Sequence, residues 1–480
     1  MYIFQKYKNV SAPVKASFWF IVSNVMLRGI SFITLPIFSR LMSTSQYGLL
    51  SVYHSWLSIF TIFCTLTIWG GVFNVVMTKK SEEKDRYIAA FQGLATTITV
   101  MFLLFFVVFG DYVSSFFGIS KFLLILIFIN ILSLTPFYLW SANQRFEYRY
   151  KALILLTVVT SILNPLIGYY AVINTDYKAE ARILAEIAIN ILIGIFFFSL
   201  NIKKGHVFFN KEIWKYGFYF NVVLIPHYLS LQVLSQSDRL MINNFCGSSD
   251  AGIYSVAYSF AMLLTLITGG LDSSVTPYIY RNLKENTLET LKKNITFLIL
   301  GIALVALCVT CVIPDFFRLM LPEAYYPAVW VIPPVIAAVF FMFLYPLFCS
   351  IEYYFEELKY ASVSTFITAI VNIILNFVFI KIFGFIAAAY TTLFCYITLT
   401  IFHLVAMKVV LKKNNNGVGV YNLHAIGIIS TIFTLCILGI TILYINTFIR
   451  WTIVSVALIG VLILRKRIVL FFKSIKQPLD

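Results

Sequence analysis

The feature that most constrains this chain is a succession of fourteen apolar stretches, each close to the ~20 residues that carry a helix across a ~30 Å hydrocarbon layer. They cover residues 17–40, 48–77, 88–109, 120–141, 152–173, 181–201, 215–236, 252–276, 295–313, 328–350, 360–380, 384–407, 424–445 and 450–464. Inside lipid every backbone N–H and C=O needs a partner within its own segment, so such stretches read as helices. Charge supplies the topology. With the N-terminus in the cytoplasm, the even-numbered connections and the two tails hold 27 of the 36 Lys and Arg, and the odd-numbered connections hold eight. The remaining one, Arg28, lies inside the first stretch. Because cytoplasmic loops accumulate Lys and Arg, both termini are expected on the cytoplasmic side of a bacterial inner membrane.

Composition then excludes several classes. The chain is 60% hydrophobic and 12% charged, with a net charge of +16. In a soluble protein that charge would point to nucleic acid. Here it sits in short runs such as Lys79-Lys80 and Arg465-Lys466-Arg467, where it matches anionic headgroups, so the bilayer and not nucleic acid is the expected partner. The basic start (Lys6, Lys8, Lys15) precedes an apolar stretch longer than a signal-peptide core, which reads as a retained first helix. No connection exceeds about 18 residues, too short for a nucleotide-binding or catalytic domain. Phosphate-loop, nucleophile-elbow and paired metal-ligand spacings are missing from the sequence. The chain therefore reads as a non-enzyme with no cofactor and no metal. Cys308-x-x-Cys311 reads as a pair of small core residues.

The chain also repeats itself. Ser45-Gln46-Tyr47-Gly48-Leu49-Leu50-Ser51-Val52 aligns with Ser249-Asp250-Ala251-Gly252-Ile253-Tyr254-Ser255-Val256 at an offset of 204, and Lys151, Thr157, Thr160 and Asn164 align with Lys359, Thr365, Thr368 and Asn372 at 208. Six helices per repeat is an even number, which implies parallel repeats related by an axis along the membrane normal. The expected architecture is all-α: a six-helix bundle over 1–214, a second over 215–413 related by pseudo-twofold symmetry, and two further helices over 414–480.

In such a transporter, polar helix faces at the interface of the halves are the candidate site. Ser17, Asn24, Arg28 and Ser31 form one stripe in the first stretch. Tyr228, Gln232, Ser235 and Arg239 form another in the seventh, with Asn221 a further repeat back. The 204 offset places Asn24 on Tyr228, Arg28 on Gln232 and Ser31 on Ser235. These residues either line a cavity or make interhelical hydrogen bonds. Arg28 is the sharpest. A mid-helix cation costs at least ~2.5–3.5 kcal/mol, and its guanidinium fork matches phosphate oxygens; it reads as an anion contact or as a buried ion pair. Glu186 has Arg182 and Asn190 one turn away on either side, consistent with a local ion pair or a gating role. Asp272 follows Gly269-Gly270 and precedes Pro277, as an ion-coupling group or a carboxylate at a helix end near water. Asp238-Arg239 is placed at the outer end of the seventh stretch, as a gate or staple of the rim or a solvated pair. His54, His227 and His403 lack partner spacing and read as core histidines.

The segments Arg40-Leu41-Met42-Ser43-Thr44-Ser45-Gln46-Tyr47-Gly48, Ser237-Asp238-Arg239-Leu240-Met241-Ile242 and Gly252-Ile253-Tyr254-Ser255-Val256-Ala257 carry a family resemblance. Together with the helix count and topology of the whole chain, they resemble the Wzx-type O-antigen and polysaccharide flippases of the multidrug/oligosaccharidyl-lipid/polysaccharide (MOP, MATE-like) exporter superfamily. The resemblance implies a two-bundle transporter that moves an undecaprenyl-diphosphate-linked oligosaccharide from the cytoplasmic to the periplasmic leaflet by alternating access. It also implies a proton or sodium gradient as the driving force, and a polysaccharide polymerase and chain-length regulator as partners. A MATE-like multidrug or organic-cation antiporter is the alternative, although that chemistry favours carboxylates over Arg28 in the cavity.

Overall fold

The computed structural model describes residues 12–414, 417–456 and 459, and every regular element among them is helical. The helices are α1 (Ala12–Leu41), α2 (Thr44–Thr65), α3 (Val72–Lys79), α4 (Lys84–Phe117), α5 (Lys121–Phe146), α6 (Tyr150–Ile173), α7 (Lys178–Gly205), α8 (Lys211–Val222), α9 (Ile225–Cys246), α10 (Ser248–Ala261), α11 (Thr265–Lys284), α12 (Leu288–Met320), α13 (Ile332–Tyr354), α14 (Leu358–Phe383), α15 (Ile386–Asn414), α16 (Leu423–Ile440) and α17 (Thr447–Val456). Among the described residues twelve spans are long and apolar enough to cross a membrane, or thirteen when α8 and α9 count as one bent span. Thirteen of the fourteen expected stretches thus stand as spans among the described residues when the bent pair is counted as one. The last stretch, 450–464, is represented by the short α17 and then leaves the described residues.

The local chemistry accounts for the breaks. The second stretch was expected to run unbroken to residue 77, but α2 stops at Thr65, where Leu66 and Thr67 adopt positive φ, and α3 restarts at Val72. Its N-terminal amide is capped from outside: Asn221 Oδ1 accepts from Val72 N at 3.2 Å. Asn221 is fully buried in this role and belongs to α8, across a 50° bend from α9. It is therefore a capping residue and not part of the α9 polar stripe. Pro226, at the start of α9, lacks an N–H and disfavours helix in the residue before it, which explains the bend. At the start of α2, Ser43 and Gln46 form a reciprocal capping box, which satisfies two of the orphan donors at that end.

The helix starts display the repeat. α2 and α10 begin 204 residues apart, as do α4 and α12; α6 and α14 begin 208 apart, as do α7 and α15. The four extra residues fall between α12 and α14, where a 3₁₀ turn at Glu323–Val331 precedes α13.

By internal packing the chain forms two compact units, Met1–Gly252 and Ile253–Asp480. In the first, α5 is the central helix, packed on α4 and α7, while α1 lies on α6 and α9 on α2. In the second, α13 is buried along nearly its whole length against α15, with α12 and α16 on its other sides. α13 is apolar all round, as a helix enclosed on every side should be. Its hydrophobic run extends to Tyr354, four residues beyond the expected end, and carries Glu352 with it.

Candidate transport site

The first polar stripe forms as read. Asn24, Arg28 and Ser31 are all exposed on α1, beside the exposed apolar residues Val25, Met26 and Ile33. The Ser31 hydroxyl donates to the Leu27 carbonyl at 3.0 Å, so it turns back onto its own helix. Ser17 is helical at the backbone, and its side chain lies outside the described residues.

The α9 stripe is half-buried and ordered by internal bonds. Ser235 donates to the Gln232 carbonyl at 3.1 Å, and Arg239 Nη1 donates to the Ser235 carbonyl at 2.9 Å and to Gln236 Oε1 at 2.8 Å. Gln236 Oε1 lies 3.2 Å from the Ser55 hydroxyl, which ties the stripe to α2. Tyr228 places its hydroxyl against the Gly70 backbone, where a Cβ would sit 3.1 Å from it. α9 continues to Cys246, so Asp238 and Arg239 lie within the helix and not at its outer end. Asp238 is 1% exposed. A solvated rim pair is therefore replaced by a buried carboxylate beside a half-buried guanidinium.

Glu186 stands in a larger network than its own helix face suggests. Arg182 Nη1 lies 4.0 Å from Glu186 Oε2, and His54 Nε2 from α2 lies 3.6 Å from the same oxygen. Asn130 of α5 donates from Nδ2 to Glu186 Oε1 at 3.3 Å and lies 3.2 Å from the Tyr53 hydroxyl. Asn190 donates to Asn130 Oδ1 at 2.9 Å. The Arg182 guanidinium also stacks over Phe38 of α1 at 4.9 Å. Three helices thus converge on one carboxylate, with charge-assisted hydrogen bonds in a low-dielectric setting. His54 is a partner of Glu186 and not an isolated core histidine. The sequence offered no signal for Asn130 or His54, because each reaches Glu186 from a different helix.

Besides Arg28, two further guanidiniums of the first unit have interior partners: Arg182 faces Glu186, and Arg239 bonds within α9.

In the second unit, Asp272 lies in the interior of α11, which continues through Pro277 to Lys284; it is not a helix-end carboxylate. Its Oδ1 has no hydrogen-bond partner among the described residues, and a Cβ on Gly269 or Gly270 would meet open space. Tyr345 of α13 stacks on His403 of α15, with ring centroids 5.4 Å apart. His403 Nδ1 lies 2.7 Å from Glu352 Oε1, both side chains being essentially inaccessible. Glu352 was missed because the tenth stretch was ended at residue 350, and His403 because its partner was missed. A further pair, Arg450 with Asp315, is bidentate at 2.8 and 3.0 Å and pins α17 to α12.

These helices define a polytopic, all-helical membrane fold. The chain aligns with lipid II flippase MurJ in an inward closed conformation at a TM-score of 0.68, covering 93% of this chain and 99% of that one at 14% identity. It also aligns with an inward-facing multidrug resistance MATE family transporter of the MOP superfamily at 0.63, covering 81% and 96% at 11% identity. A family model described as polysaccharide biosynthesis protein matches residues 14–283, more than half the chain, and a MatE model matches 224–378. The chain belongs to the polysaccharide biosynthesis protein family, and it shares its fold with the two solved structures above. Among its relatives are Lsg locus putative protein 1 of Haemophilus influenzae, 23% identical over 279 residues (57% of this chain, 67% of the relative), and an uncharacterized membrane protein of the same organism, 22% identical over 315 residues (65% and 74%).

Proposed function

We propose that this chain is a flippase that carries an undecaprenyl-diphosphate-linked oligosaccharide from the cytoplasmic to the periplasmic leaflet of the inner membrane, with both termini in the cytoplasm. The observation that carries the reading is the exposed Asn24–Arg28–Ser31 stripe on an otherwise apolar α1. Stripping a sugar hydroxyl of water without a replacement bond costs ~1–3 kcal/mol, so an oligosaccharide crosses only along a polar wall. Arg28, which stays charged at any depth, supplies a diphosphate contact. Gln232, Ser235, Tyr228 and Arg239 supply hydrogen-bonding groups from α9, the helix that the 204-residue offset sets equivalent to α1.

Transport is driven by a proton or sodium gradient through Asp272, whose unsatisfied carboxyl oxygen suits a group that gains and loses a small cation. Glu186 and Asp238 hold helices in register for the gating movement. The chain makes no bonds itself; a polymerase and a chain-length regulator act on what it delivers. An organic-cation antiporter, the second reading, draws on Asp272 but gives no role to the Arg28 guanidinium exposed on α1. The deciding experiment determines which leaflet holds the polyprenyl-linked glycans in a strain lacking this gene. Complete repeat units on the cytoplasmic leaflet, with no polymer outside, are the expected result. Normal polymer with raised sensitivity to cationic drugs would transfer the assignment to the antiporter.

A further inference from the structure

Cys349, Glu352 and His403 come together inside the second unit. Cys349 and Glu352 are one turn apart on α13, so their side chains share a face, and that face packs on α15, which carries His403. One ligand atom from each of the three lies within 4.8 Å of the others, and all three residues are buried. Cys349 is a free thiol. The cluster is also incompletely bonded. Glu352 Oε2 and His403 Nε2 have no hydrogen-bond partner among the described residues, although the two side chains are 0% and 1% exposed. A carboxylate fully removed from water demands a cation, and among the described residues its ion-pair partner is the His403 imidazole, a weak counter-charge that is cationic only when protonated.

We propose that these three side chains bind one zinc-class divalent metal ion that clamps α13 to α15. Thiolate, imidazole and carboxylate are the three zinc donor types. Tetrahedral zinc with bond lengths of about 2.0–2.3 Å holds its ligand atoms about 3.3–3.7 Å apart, so the 2.7 Å Glu352–His403 contact opens slightly and the more distant ligand atoms of the cluster, all within 4.8 Å, close in. Softness favours zinc or copper over calcium and magnesium, which take oxygen ligands. Tyr345, stacked on the imidazole at an interplanar angle of 24°, orients the His403 ring. On binding, the thiol proton leaves to solvent, His403 binds as neutral imidazole through an unprotonated ring nitrogen, and no redox change is involved.

The test titrates the purified full-length protein in detergent with Co²⁺ as the spectroscopic probe. One equivalent per chain with a thiolate-to-cobalt charge-transfer band is expected. Cys349→Ser abolishes that band, Cys308→Ser leaves it intact, and Glu352→Gln weakens affinity at least about tenfold. A wild-type protein without the band, or a band that survives Cys349→Ser, overturns the proposal. Because Cys349→Ser could perturb folding, X-ray absorption of the zinc-loaded wild type is a second readout. One sulfur in the first shell beside nitrogen and oxygen supports the site, and a shell without sulfur overturns it.

Discussion

Gly48 and Gly252, the two glycines that the 204-residue offset superposes, touch each other. A Cβ on Gly48 would sit 2.9 Å from Gly252 N and inside the Ser248 carbonyl; a Cβ on Gly252 would sit 2.8 Å from Gly48 N and inside the Thr44 carbonyl. Thr44 and Ser248 are themselves related by the same offset. The contact is reciprocal, as at an isologous interface where residue i meets j and j meets i. An intramolecular two-fold relation thus survives locally, although the two copies of the motif have diverged in most side chains. The Thr44 and Ser249 hydroxyls, 2.7 Å apart, complete the junction.

Substitution at this junction should be costly at either glycine. Neither backbone can retreat without separating α2 from α10, so Gly252→Ala and Gly48→Ala each lower stability by about 1–3 kcal/mol, as overpacking does. Gly29→Ala on α1, where a Cβ meets nothing within 4 Å, is the internal control. Thermal melts in detergent, followed by loss of the monodisperse elution peak, should show a drop at the two junction glycines and none at Gly29.

The helical architecture was legible because apolar length and charge asymmetry are local properties that lipid enforces segment by segment. The repeat was legible for a similar reason: one close helix crossing needs a glycine from each side, and Gly48 and Gly252 stand at a readable spacing. The buried ionic groups were only partly legible. Arg182, Glu186 and Asn190 share one helix face and could be read from i, i+4 spacing. His54, Asn130, Glu352 and His403 meet across helices, and no spacing within a single chain segment encodes that. Helix ends were the other source of error. Reading the seventh, eighth and tenth stretches too short put Asp238 and Asp272 near ends and left Glu352 outside altogether.

Arg28 is assigned an anion contact, so charge and fork geometry should both matter. Arg28→Ala is expected to abolish surface polysaccharide while the protein still inserts, and Arg28→Lys to retain part of the activity, since an ammonium keeps the charge without the bidentate fork. Export from Arg28→Ala at the wild-type rate would remove the anion site.

The Glu186 network predicts a different signature. Glu186→Gln leaves the Arg182 guanidinium, already short of one hydrogen bond at Nη1, without its counter-charge. Breaking a buried pair from one side costs about 3–5 kcal/mol, against ~0–1 kcal/mol for an exposed pair such as Arg86–Glu83. Replacing both members, as in Glu186→Gln with Arg182→Met, should recover much of the loss. A double variant no more stable than the single one would show that Asn130 and His54, not Arg182, hold the carboxylate.

For Asp272 the measurement is the pH profile of transport. If its carboxyl takes up and releases the coupling ion, Asp272→Asn flattens the dependence of flux on pH or on sodium while leaving expression and melting temperature near wild type. A variant that keeps the full wild-type dependence would leave Asp272 as a packing residue.

Outside the spans, Glu357 gives a pH-dependent stability term whose sign follows from its partners. It sits between α13 and α14 and pairs with Lys413 at the end of α15 and, at 3.9 Å, with Lys359. The hydrogen bond from Lys413 is the main cause that holds its carboxyl below the ordinary glutamate value, with the charges of Lys413 and Lys359 adding to it. A depressed folded-state value means that the stabilisation is complete above the unfolded value of about 4.3 and disappears as pH falls through the folded one. Wild type should therefore melt above Glu357→Gln at neutral pH, and the gap should begin to close near about pH 4.3. Salt should narrow the neutral-pH gap too, because exposed pairs are screened. A gap that instead widened on acidification would mean that the protonated carboxyl, and not the carboxylate, is the form that clamps α15.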